Sequence, residues 1–266
     1  MEIQKWKEIL SPYELAVEEL KIKFNHIIKE NRASGRYSPI EQVTCRVKAV
    51  SSIMDKARRK GIPLEQVEEK ITDIAGVRLI CQFVEDIDKV AAIVRERPDM
   101  KVVEENDYVH HSKPSGYQSY HLVVHYVVTT IHGPKTVPVE IQIRTLAMNF
   151  WATIEHSLQY KYSGNVPEHV STRLRAAAQA VVQLDREMSM IRDDIMMAQD
   201  LFLNKARIVS EIKNNIENLY KFENRDAMEN IQNEFFELFR NGTLEELEEF
   251  NHKLDEVAAR QGVQEL

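Results

Sequence analysis

Apolar and polar residues alternate along the segment Val137-Pro138-Val139-Glu140-Ile141-Gln142-Ile143-Arg144. Successive side chains of a β-strand point to opposite faces of a sheet, so a period of two indicates a strand with one apolar face. The same period places Glu140, Gln142 and Arg144 in one row on the other face. A carboxylate, an amide and a guanidinium are thereby predicted to stand side by side on a single sheet surface.

Four other segments have the alternation or the β-branched and aromatic composition that is typical of strands. They are residues 43–47, 76–81, 101–108 and 121–130. From Thr145 onward the chain is predicted to be helical almost to its end. The predicted fold class is therefore α+β, with a mixed sheet of about five strands flanked by helices and a helical C-terminal extension.

Apolar residues with helical spacing precede and separate the strands. The three ranges are Tyr13–Ile28, Val50–Ala57 and Asp86–Arg95. The first helix is predicted to begin at Ser11. Ser11 can cap it, Pro12 suits the first turn, and Glu14 completes a capping box.

The net charge of −7 is confined to the end of the chain. Residues 221–266 hold 5 Lys and Arg against 12 Asp and Glu, whereas the rest of the chain is balanced. Apolar residues recur in this acidic segment with helical spacing, so it is expected to be buried on one side. The predicted domains are a core of residues 1–205, which includes the N-terminal helix, and an acidic helical extension of residues 206–266.

The two cysteines, Cys45 and Cys81, have no metal-like spacing and suggest no disulfide framework. This usage is typical of a reducing compartment, so a cytoplasmic protein is expected. No apolar run approaches the roughly 20 residues that cross a bilayer, so no membrane partner is expected.

A row of basic and hydroxyl side chains begins at the strand around residue 46. Arg46 and Lys48 share one face of that strand, and Lys48, Ser52, Lys56 and Arg59 follow one another along one face of the next helix. Four cations and a hydroxyl on one surface suit a nucleoside triphosphate, which brings about four negative charges. The alternative is a solvated helix face. The sequence has no Walker A motif and no kinase-type glycine-rich loop, so ATP would be bound by another design.

Two acidic residues are candidates for holding Mg²⁺, which prefers oxygen ligands and keeps part of its water. Asp73 stands directly before one predicted strand, and Glu140 lies within another. Taken singly, Asp73 would more often be a cap or turn residue, and Glu140 would more often be the solvent side of a half-buried strand.

The segment Lys113-Pro114-Ser115-Gly116-Tyr117-Gln118-Ser119-Tyr120-His121 is the most distinctive loop. Tyr117 offers a flat surface on which a nucleobase could stack, which is worth roughly 1–3 kcal/mol. Lys113 could reach a phosphate. The alternative is a hairpin loop that contains a tyrosine by chance.

Several of these segments together resemble the synthetase motifs of the RelA/SpoT family, in the family's order and spacing. The segments are Arg46-x-Lys48 with Ser52 and Lys56, residues 73–78, residues 113–121, residues 139–145, residues 150–156 and Tyr160-Lys161-Tyr162. The resemblance covers residues 10 to 205 or so. It implies a nucleotidyltransferase-like synthetase fold for the core domain, with activity as a single-domain small alarmone synthetase.

The resemblance implies that pyrophosphate is transferred from ATP to the 3′-hydroxyl of GTP or GDP, with Mg²⁺ as cofactor. Glu140 is the preferred general base, Asp73 could share that role, and both would hold the metal. The implied ATP-binding residues are Arg46, Lys48, Ser52, Lys56, Arg59 and Arg78. The implied residues for GTP or GDP are Lys113, Tyr117 and His121, with Gln142, Arg144 and Asn149 as further candidates.

Two other functions remain open from the sequence. Some relatives act as toxins that pyrophosphorylate tRNA or adenine nucleotides, although the Tyr117 loop favours guanine and nucleic acid is not expected as substrate. A degenerate nucleotide-sensing module is disfavoured because Asp73, Glu140 and the basic row are all present. The chain contains no His-Asp dipeptide, so no hydrolase activity is expected. The resemblance implies a homo-oligomer, since the family's small members often form homotetramers.

Overall fold

The computed structural model describes residues 2–161, 166–220 and 225–260. Its elements, in chain order, are α1 (Glu2–Ala33), β1 (Gln42–Val47), α2 (Val50–Lys60), a 3₁₀ turn (Leu64–Gln66), α3 (Val67–Lys70), β2 (Ala75–Cys81), α4 (Glu85–Glu96), β3 (Met100–Asp107), β4 (Tyr120–Thr130), β5 (Gly133–Thr145), α5 (Leu146–Lys161), α6 (Glu168–Leu219), α7 (Arg225–Asn241) and α8 (Leu244–Arg260). Tyr162, the last residue of one predicted motif, lies outside the described residues.

The five strands form one sheet in the order β1-β2-β5-β4-β3. β2 and β5 run parallel, while the pairs β1 with β2, β4 with β5 and β3 with β4 are antiparallel. The predicted mixed sheet is therefore confirmed. Its central strand, β5, is the one that carries the alternating segment around Glu140.

One face of the sheet is apolar and buried. α1 packs on β1, β2, β4 and β5, and α4 packs on β3, β4 and β5. The alternating residues of three strands supply the sheet side of this core, with Val77 and Leu79 from β2, Leu122, Val124 and Tyr126 from β4, and Val139, Ile141 and Ile143 from β5. With one face filled, the polar residues of the same strands must lie on the other face.

The first helix begins well before the predicted start at Ser11. α1 starts at Glu2 and contains Pro12 within it. A proline in a helix interior removes a hydrogen bond and costs about 3 kcal/mol or more. Trp6 and Leu10, on the turns before Pro12, pack against the core. We infer that burial of these side chains offsets the proline, because tertiary packing overrides local helix signals.

The chain divides into two compact units, Met1–Ser189 and Met190–Leu266. The first contains the sheet. The second has a core of its own, built from α7, α8 and the later part of α6, in residues that include Ile212, Leu219, Phe235, Leu247 and Phe250. The predicted helical character of the tail is confirmed. The compact units separate between residues 189 and 190. The predicted domain boundary between residues 205 and 206 stays a prediction.

Among the described residues, no helix combines the length and apolar character needed to span a bilayer.

Both cysteines are free, and Cys81 is buried. Burial also raises the pKa of Cys45 to about 11, so this thiol is protonated at neutral pH.

Thr145 joins the end of β5 to two helices. Its Oγ1 accepts a hydrogen bond from Met148 N in the first turn of α5 at 3.1 Å. The same hydroxyl donates to Asp185 Oδ2 on α6 at 2.8 Å. Asp185 is buried, and burial raises its pKa to about 6; the Thr145 bond opposes the rise and the nearby charge of Glu85 adds to it. The ionised carboxylate is therefore destabilising at neutral pH.

Replacement of Asp185 by Asn is expected to stabilise the protein in a pH-dependent way. The folded-state pKa of about 6 lies above the ordinary value of 3.8, so the cost of ionising Asp185 grows as pH rises from about 4 and is complete above about 6. The free energy of unfolding of Asp185→Asn, measured by urea denaturation, should exceed that of wild type by about 2–3 kcal/mol at pH 7.5. At pH 4 the two proteins should differ little. Asp88→Asn, at an exposed position on α4, is the control and should give no gain. Equal stability of wild type and Asp185→Asn at both pH values would contradict the expectation.

Candidate active site

The polar face of the sheet brings together residues from four strands. One cross-strand row joins Arg46 on β1, Gly76 on β2 and Glu140 on β5. The neighbouring row consists of Arg78, Gln142 and His121. The register therefore confirms that Glu140 and Gln142 share a face, and it adds cations from the strands on one side and an imidazole from the other.

A cavity of about 230 Å³ opens on this face. It is lined by Thr44, Cys45, Arg46, Asp73, Gly76, Val77, Arg78, Glu140 and Gln142. Asp73 reaches it from the residues just before β2. Gly76 leaves room in it, because a Cβ at this position would already touch Arg46 Cγ at 3.6 Å.

Asp73 is the meeting point of two lysines of the basic row. Its Oδ2 lies 2.6 Å from Lys48 Nζ and 2.7 Å from Lys56 Nζ. Burial raises the pKa of Asp73, but the hydrogen bonds from the two ammonium groups outweigh it and hold the pKa below its ordinary value. Asp73 is thus ionised at neutral pH. Its buried Oδ1 has no hydrogen-bond partner among the described residues.

Arg78 is a half-buried cation next to Glu140 and Gln142 in the cavity lining. Its Nε is buried and, within the described part of the chain, makes no hydrogen bond. Burial lowers its pKa, and the neighbouring charges of Arg144 and Arg46 lower it further. An unpaired buried donor is costly, and here it sits among other cations. The cavity is therefore suited to a ligand that is anionic or rich in hydrogen-bond acceptors.

Glu140 belongs to a closed ring of five hydrogen-bonded side chains. Its Oε1 lies 3.1 Å from His121 Nδ1, and its Oε2 accepts from Gln142 Nε2 at 2.7 Å. Tyr117 Oη lies 2.9 Å from His121 Nε2, and Arg144 Nη2 donates both to Tyr117 Oη and, at 2.9 Å, to Gln142 Oε1. Burial raises the pKa of Glu140, but the His121 and Gln142 contacts outweigh it, so the net shift is downward.

The loop after β3 places a lysine over two aromatic rings. Lys113 Nζ lies 4.2 Å from the centroid of the Tyr108 ring and 5.2 Å from that of Tyr117. The loop is closed by a bond from Gly116 N to Lys113 O at 2.8 Å. Gly116 has a φ of +87°, which favours glycine, and a Cβ there would come within 2.5 Å of Ala178 Cβ on α6.

Some predicted site residues lie away from the cavity. Ser52 and Arg59 are exposed on α2, and neither lines it. Asn149 lies on α5, and its buried Oδ1 has no hydrogen-bond partner in the described residues. Arg144 is buried, with 4% of its surface exposed, and makes its contacts within the protein.

Sequence reasoning also missed two residues that lie outside the cavity and pack behind its neighbours. Tyr108 packs edge-on against His121, with ring centroids 5.3 Å apart. Ser119 is fully buried and its Oγ accepts a bond from Arg144 Nε at 3.0 Å. Ser119 lies two residues from both Tyr117 and His121, so the strand period could have found it. Tyr108 had no such signal, because it is brought in by the pairing of β3 with β4.

The whole arrangement lies within the region that defines a known family. A model of the region found in RelA/SpoT proteins matches residues 45–165, the range that holds Arg46, Asp73, the Tyr117 loop and Glu140. Two relatives at 54% and 38% identity match the chain over 98% and 93% of their own length. The chain belongs to the RelA/SpoT family.

Two curated Bacillus subtilis proteins are among the relatives. The GTP pyrophosphokinase YjbM is 54% identical over 207 residues, which are 78% of this chain and 98% of YjbM. The GTP pyrophosphokinase YwaC is 38% identical over 73% of this chain and 93% of its own. Of the solved structures, the small alarmone synthetase 1 of Bacillus subtilis bound to its product pppGpp has 55% identity and a TM-score of 0.70, covering 72% of this chain and 98% of that one.

Replacement of Gly116 by Ala is expected to distort the loop that carries Lys113 and Tyr117. The new Cβ would meet Ala178 at 2.5 Å and would also strain the left-handed backbone. The melting temperature should fall by about 5–10 °C, and the fluorescence of Trp151, whose ring also lies near this position, should change.

Gly133→Ala is the matched control, because Gly133 has a φ of +103° but no atom within 4 Å of the added Cβ. It should show the backbone strain alone. Adding Ala178→Gly to Gly116→Ala should recover part of the loss. A Gly116→Ala protein as stable as Gly133→Ala would show that the contact with Ala178 is unimportant.

Proposed function

We propose that this protein is a small alarmone synthetase. It transfers the β,γ-pyrophosphate of ATP to the 3′-hydroxyl of GTP or GDP, which yields guanosine penta- or tetraphosphate and AMP. One observation carries the proposal beyond family membership: two carboxylates and two arginines line one cavity, and Asp73 Oδ1 and Arg78 Nε are buried there without partners among the described residues. A nucleotide with its metal satisfies both atoms.

ATP is held by the cations on the β1 and β2 side of the cavity. Arg46 and Arg78 pack on the adenine, since planar guanidinium groups stack on aromatic rings. Lys48 and Lys56 take the phosphates, for which they exchange their present partner, Asp73. Ser52 and Arg59 extend the same helix face toward solvent, and the end of the triphosphate is their proposed contact. The exchange is favourable because a triphosphate offers more negative charge than one carboxylate.

Asp73 and Glu140 are the proposed Mg²⁺ ligands. Both line the cavity, Asp73 Oδ1 is unpaired, and both groups are ionised at neutral pH. The described residues contain no cluster of three or more metal-ligating side chains. Two carboxylates suit Mg²⁺, which takes its other ligands from phosphates and water. When bound, the ion supplies positive charge against the charge that develops on the transferring group.

The acceptor lies on the β4 side, against the Tyr117 loop. Tyr117 stacks on guanine, and the exposed Lys113 takes a phosphate. His121, Gln142 and Asn149 are the proposed polar contacts around the ribose and base. The 3′-oxygen forms a bond to the β-phosphorus as the bond to the α,β-bridging oxygen breaks, and AMP leaves with that electron pair. Glu140 accepts the hydroxyl proton, because it is held ionised next to the place of attack.

The rival activities have less support. A toxin that modifies tRNA or adenine nucleotides is not favoured, because YjbM, a relative that is 54% identical, is a GTP pyrophosphokinase. A non-catalytic sensor would not need Glu140, and that residue is present and hydrogen-bonded on both oxygens. No hydrolase activity and no nucleic-acid substrate are part of the proposal. A cytoplasmic location is proposed because ATP and GTP are found there.

A homo-oligomer, specifically a homotetramer by family resemblance, is also proposed. Within the second unit, α6 exposes a stripe of apolar residues at the alternating spacing of four and three that helix pairs use. The stripe consists of Ile191, Ile195, Ala198 and Phe202. Phe202 is 73% exposed, and solvent-exposed apolar stripes of this kind mark interfaces. A second copy of the same helix presents a matching stripe.

Glu140→Gln tests the reaction. With γ-labelled ATP and GTP, wild type should produce labelled guanosine pentaphosphate. Glu140→Gln should lose at least about a thousandfold in kcat, because the amide cannot accept the proton. Its affinity for a non-hydrolysable ATP analogue, measured by calorimetry, should remain. Glu104→Gln, at an exposed position on β3, should keep full turnover. Turnover of Glu140→Gln within about tenfold of wild type would remove Glu140 as the base.

Charge in the apolar stripe tests the oligomer. Ile195→Asp combined with Phe202→Asp should lower the mass found by light scattering to a smaller species, since two buried carboxylates per interface are strongly unfavourable. Ile131→Asp is the control, because Ile131 is 95% exposed in the β4–β5 turn. An unchanged mass in the double variant would contradict the assignment of this stripe.

A further inference from the structure

Among the described residues, Arg144 donates hydrogen bonds to three side chains next to the cavity. Its Nε donates to Ser119 Oγ at 3.0 Å, and its Nη2 donates to Tyr117 Oη and to Gln142 Oε1. It is 4% exposed and does not line the cavity that contains Asp73 and Glu140. Any effect of Arg144 on the reaction therefore passes through its neighbours.

Two paths of hydrogen bonds lead from Arg144 to Glu140. The short path runs through Gln142, which accepts at Oε1 and donates from Nε2 to Glu140 Oε2 at 2.7 Å. The long path runs through Tyr117 and then His121, whose Nδ1 lies 3.1 Å from Glu140 Oε1. Each path ends on a different oxygen of the carboxylate.

One arrangement of hydrogens satisfies both paths when His121 is neutral. A guanidinium can only donate, so Gln142 must turn its carbonyl to Arg144 and its amino group to Glu140. Tyr117, which accepts from Arg144, gives its own hydrogen to His121 Nε2. A neutral imidazole that accepts at Nε2 carries its hydrogen on Nδ1, where it donates to Glu140. The amide orientation and the tautomer are both set by a cation that does not touch Glu140.

We propose that Arg144 is a positioning residue for Glu140, rather than a contact for the acceptor nucleotide. The inference rests on the proposed function, in which Glu140 accepts the proton of the 3′-hydroxyl. Two donors hold both carboxylate oxygens, so the carboxylate keeps one orientation toward the cavity. Without Arg144, Gln142 is free to reverse its amide and Tyr117 is free to accept from His121. The hydrogen bonds from Gln142 and His121 to Glu140 are then no longer enforced by the Arg144 guanidinium.

The kinetic test uses variants that interrupt the two hydrogen-bond paths, first one at a time and then together. Gln142→Leu breaks the short path. Tyr117→Phe breaks the long path but keeps the ring for stacking. Arg144→Met breaks both paths. Breaking either path alone should lower kcat about tenfold, and Arg144→Met should lower it about a hundredfold. KM for GTP should stay within about threefold of wild type in Tyr117→Phe and Arg144→Met. Gln142→Leu also removes a proposed contact of the acceptor, so only its kcat is compared. Ser119→Ala removes one acceptor of Arg144 but leaves both paths, and it should keep kcat within about threefold.

The spectroscopic test reads the tautomer of His121. Nitrogen-15 NMR of protein labelled at histidine, without nucleotide and at a pH where the ring is neutral, should show hydrogen on Nδ1 in wild type. The signal is assigned with His121→Asn. In Arg144→Met the hydrogen should move in part to Nε2, whereas in Ser119→Ala it should not. A merely structural role for Arg144 would leave the tautomer unchanged.

The outcomes separate the alternatives. A kcat for Arg144→Met close to wild type, or a raised KM for GTP with kcat unchanged, would overturn the positioning role. If circular dichroism shows that Arg144→Met is unfolded, the double variant Tyr117→Phe with Gln142→Leu replaces it, and wild-type kcat in that variant would also overturn the role. Failure of the wild-type protein to transfer pyrophosphate would instead contradict the proposed function. The NMR measurement would still decide whether Arg144 determines the tautomer of His121.

Discussion

The parallel pairing of β2 with β5 is the constraint on which the site depends. It sets Gly76 beside Glu140 and Arg78 beside Gln142. The register is fixed by the apolar residues that alternate with these positions and fill the core beneath α1 and α4. A slip of one residue would turn Glu140 into the core and expose Val139 or Ile141. The hydrophobic pattern of the buried face therefore specifies the chemistry of the opposite one.

Charge in the site is balanced locally but not completely. Asp73 is neutralised by two lysines, and Glu140 is held by a ring of hydrogen bonds that begins at Arg144. Arg78 Nε and Asp73 Oδ1 are buried and have no hydrogen-bond partner in the described part of the chain. Buried polar atoms are normally satisfied, so such exceptions point to a ligand rather than to stability. The protein keeps groups oriented in advance, which is the usual source of electrostatic stabilisation in an active site.

Much of this could be predicted from the sequence, and the remainder has physical reasons for being hidden. A period of two revealed β5 and the row from Glu140 to Arg144, because alternation is a local property. The predicted start of α1 at Ser11 was wrong, because the rest of the fold decides whether Trp6 and Leu10 are buried. The link between Asp73 and Lys56, and the place of Tyr108 next to His121, depend on which elements pack together. Arg144 was correctly placed on the polar face, but its burial follows from Ser119 and Tyr117 above it, which no spacing rule contains.

The topology of the sheet also determines when the site comes into being during folding. β4 and β5 form a hairpin, so they can pair early at little entropic cost. β2 reaches β5 only after the chain of α4, β3 and β4 has been closed into a large loop, and such distant pairings are slow. Asp73 and Arg78 travel with β2, whereas Glu140 and His121 travel with the hairpin. The cavity is thus assembled by the most distant pairing in the sheet, and a chain in which β2 has not yet paired with β5 carries the two halves of the site apart.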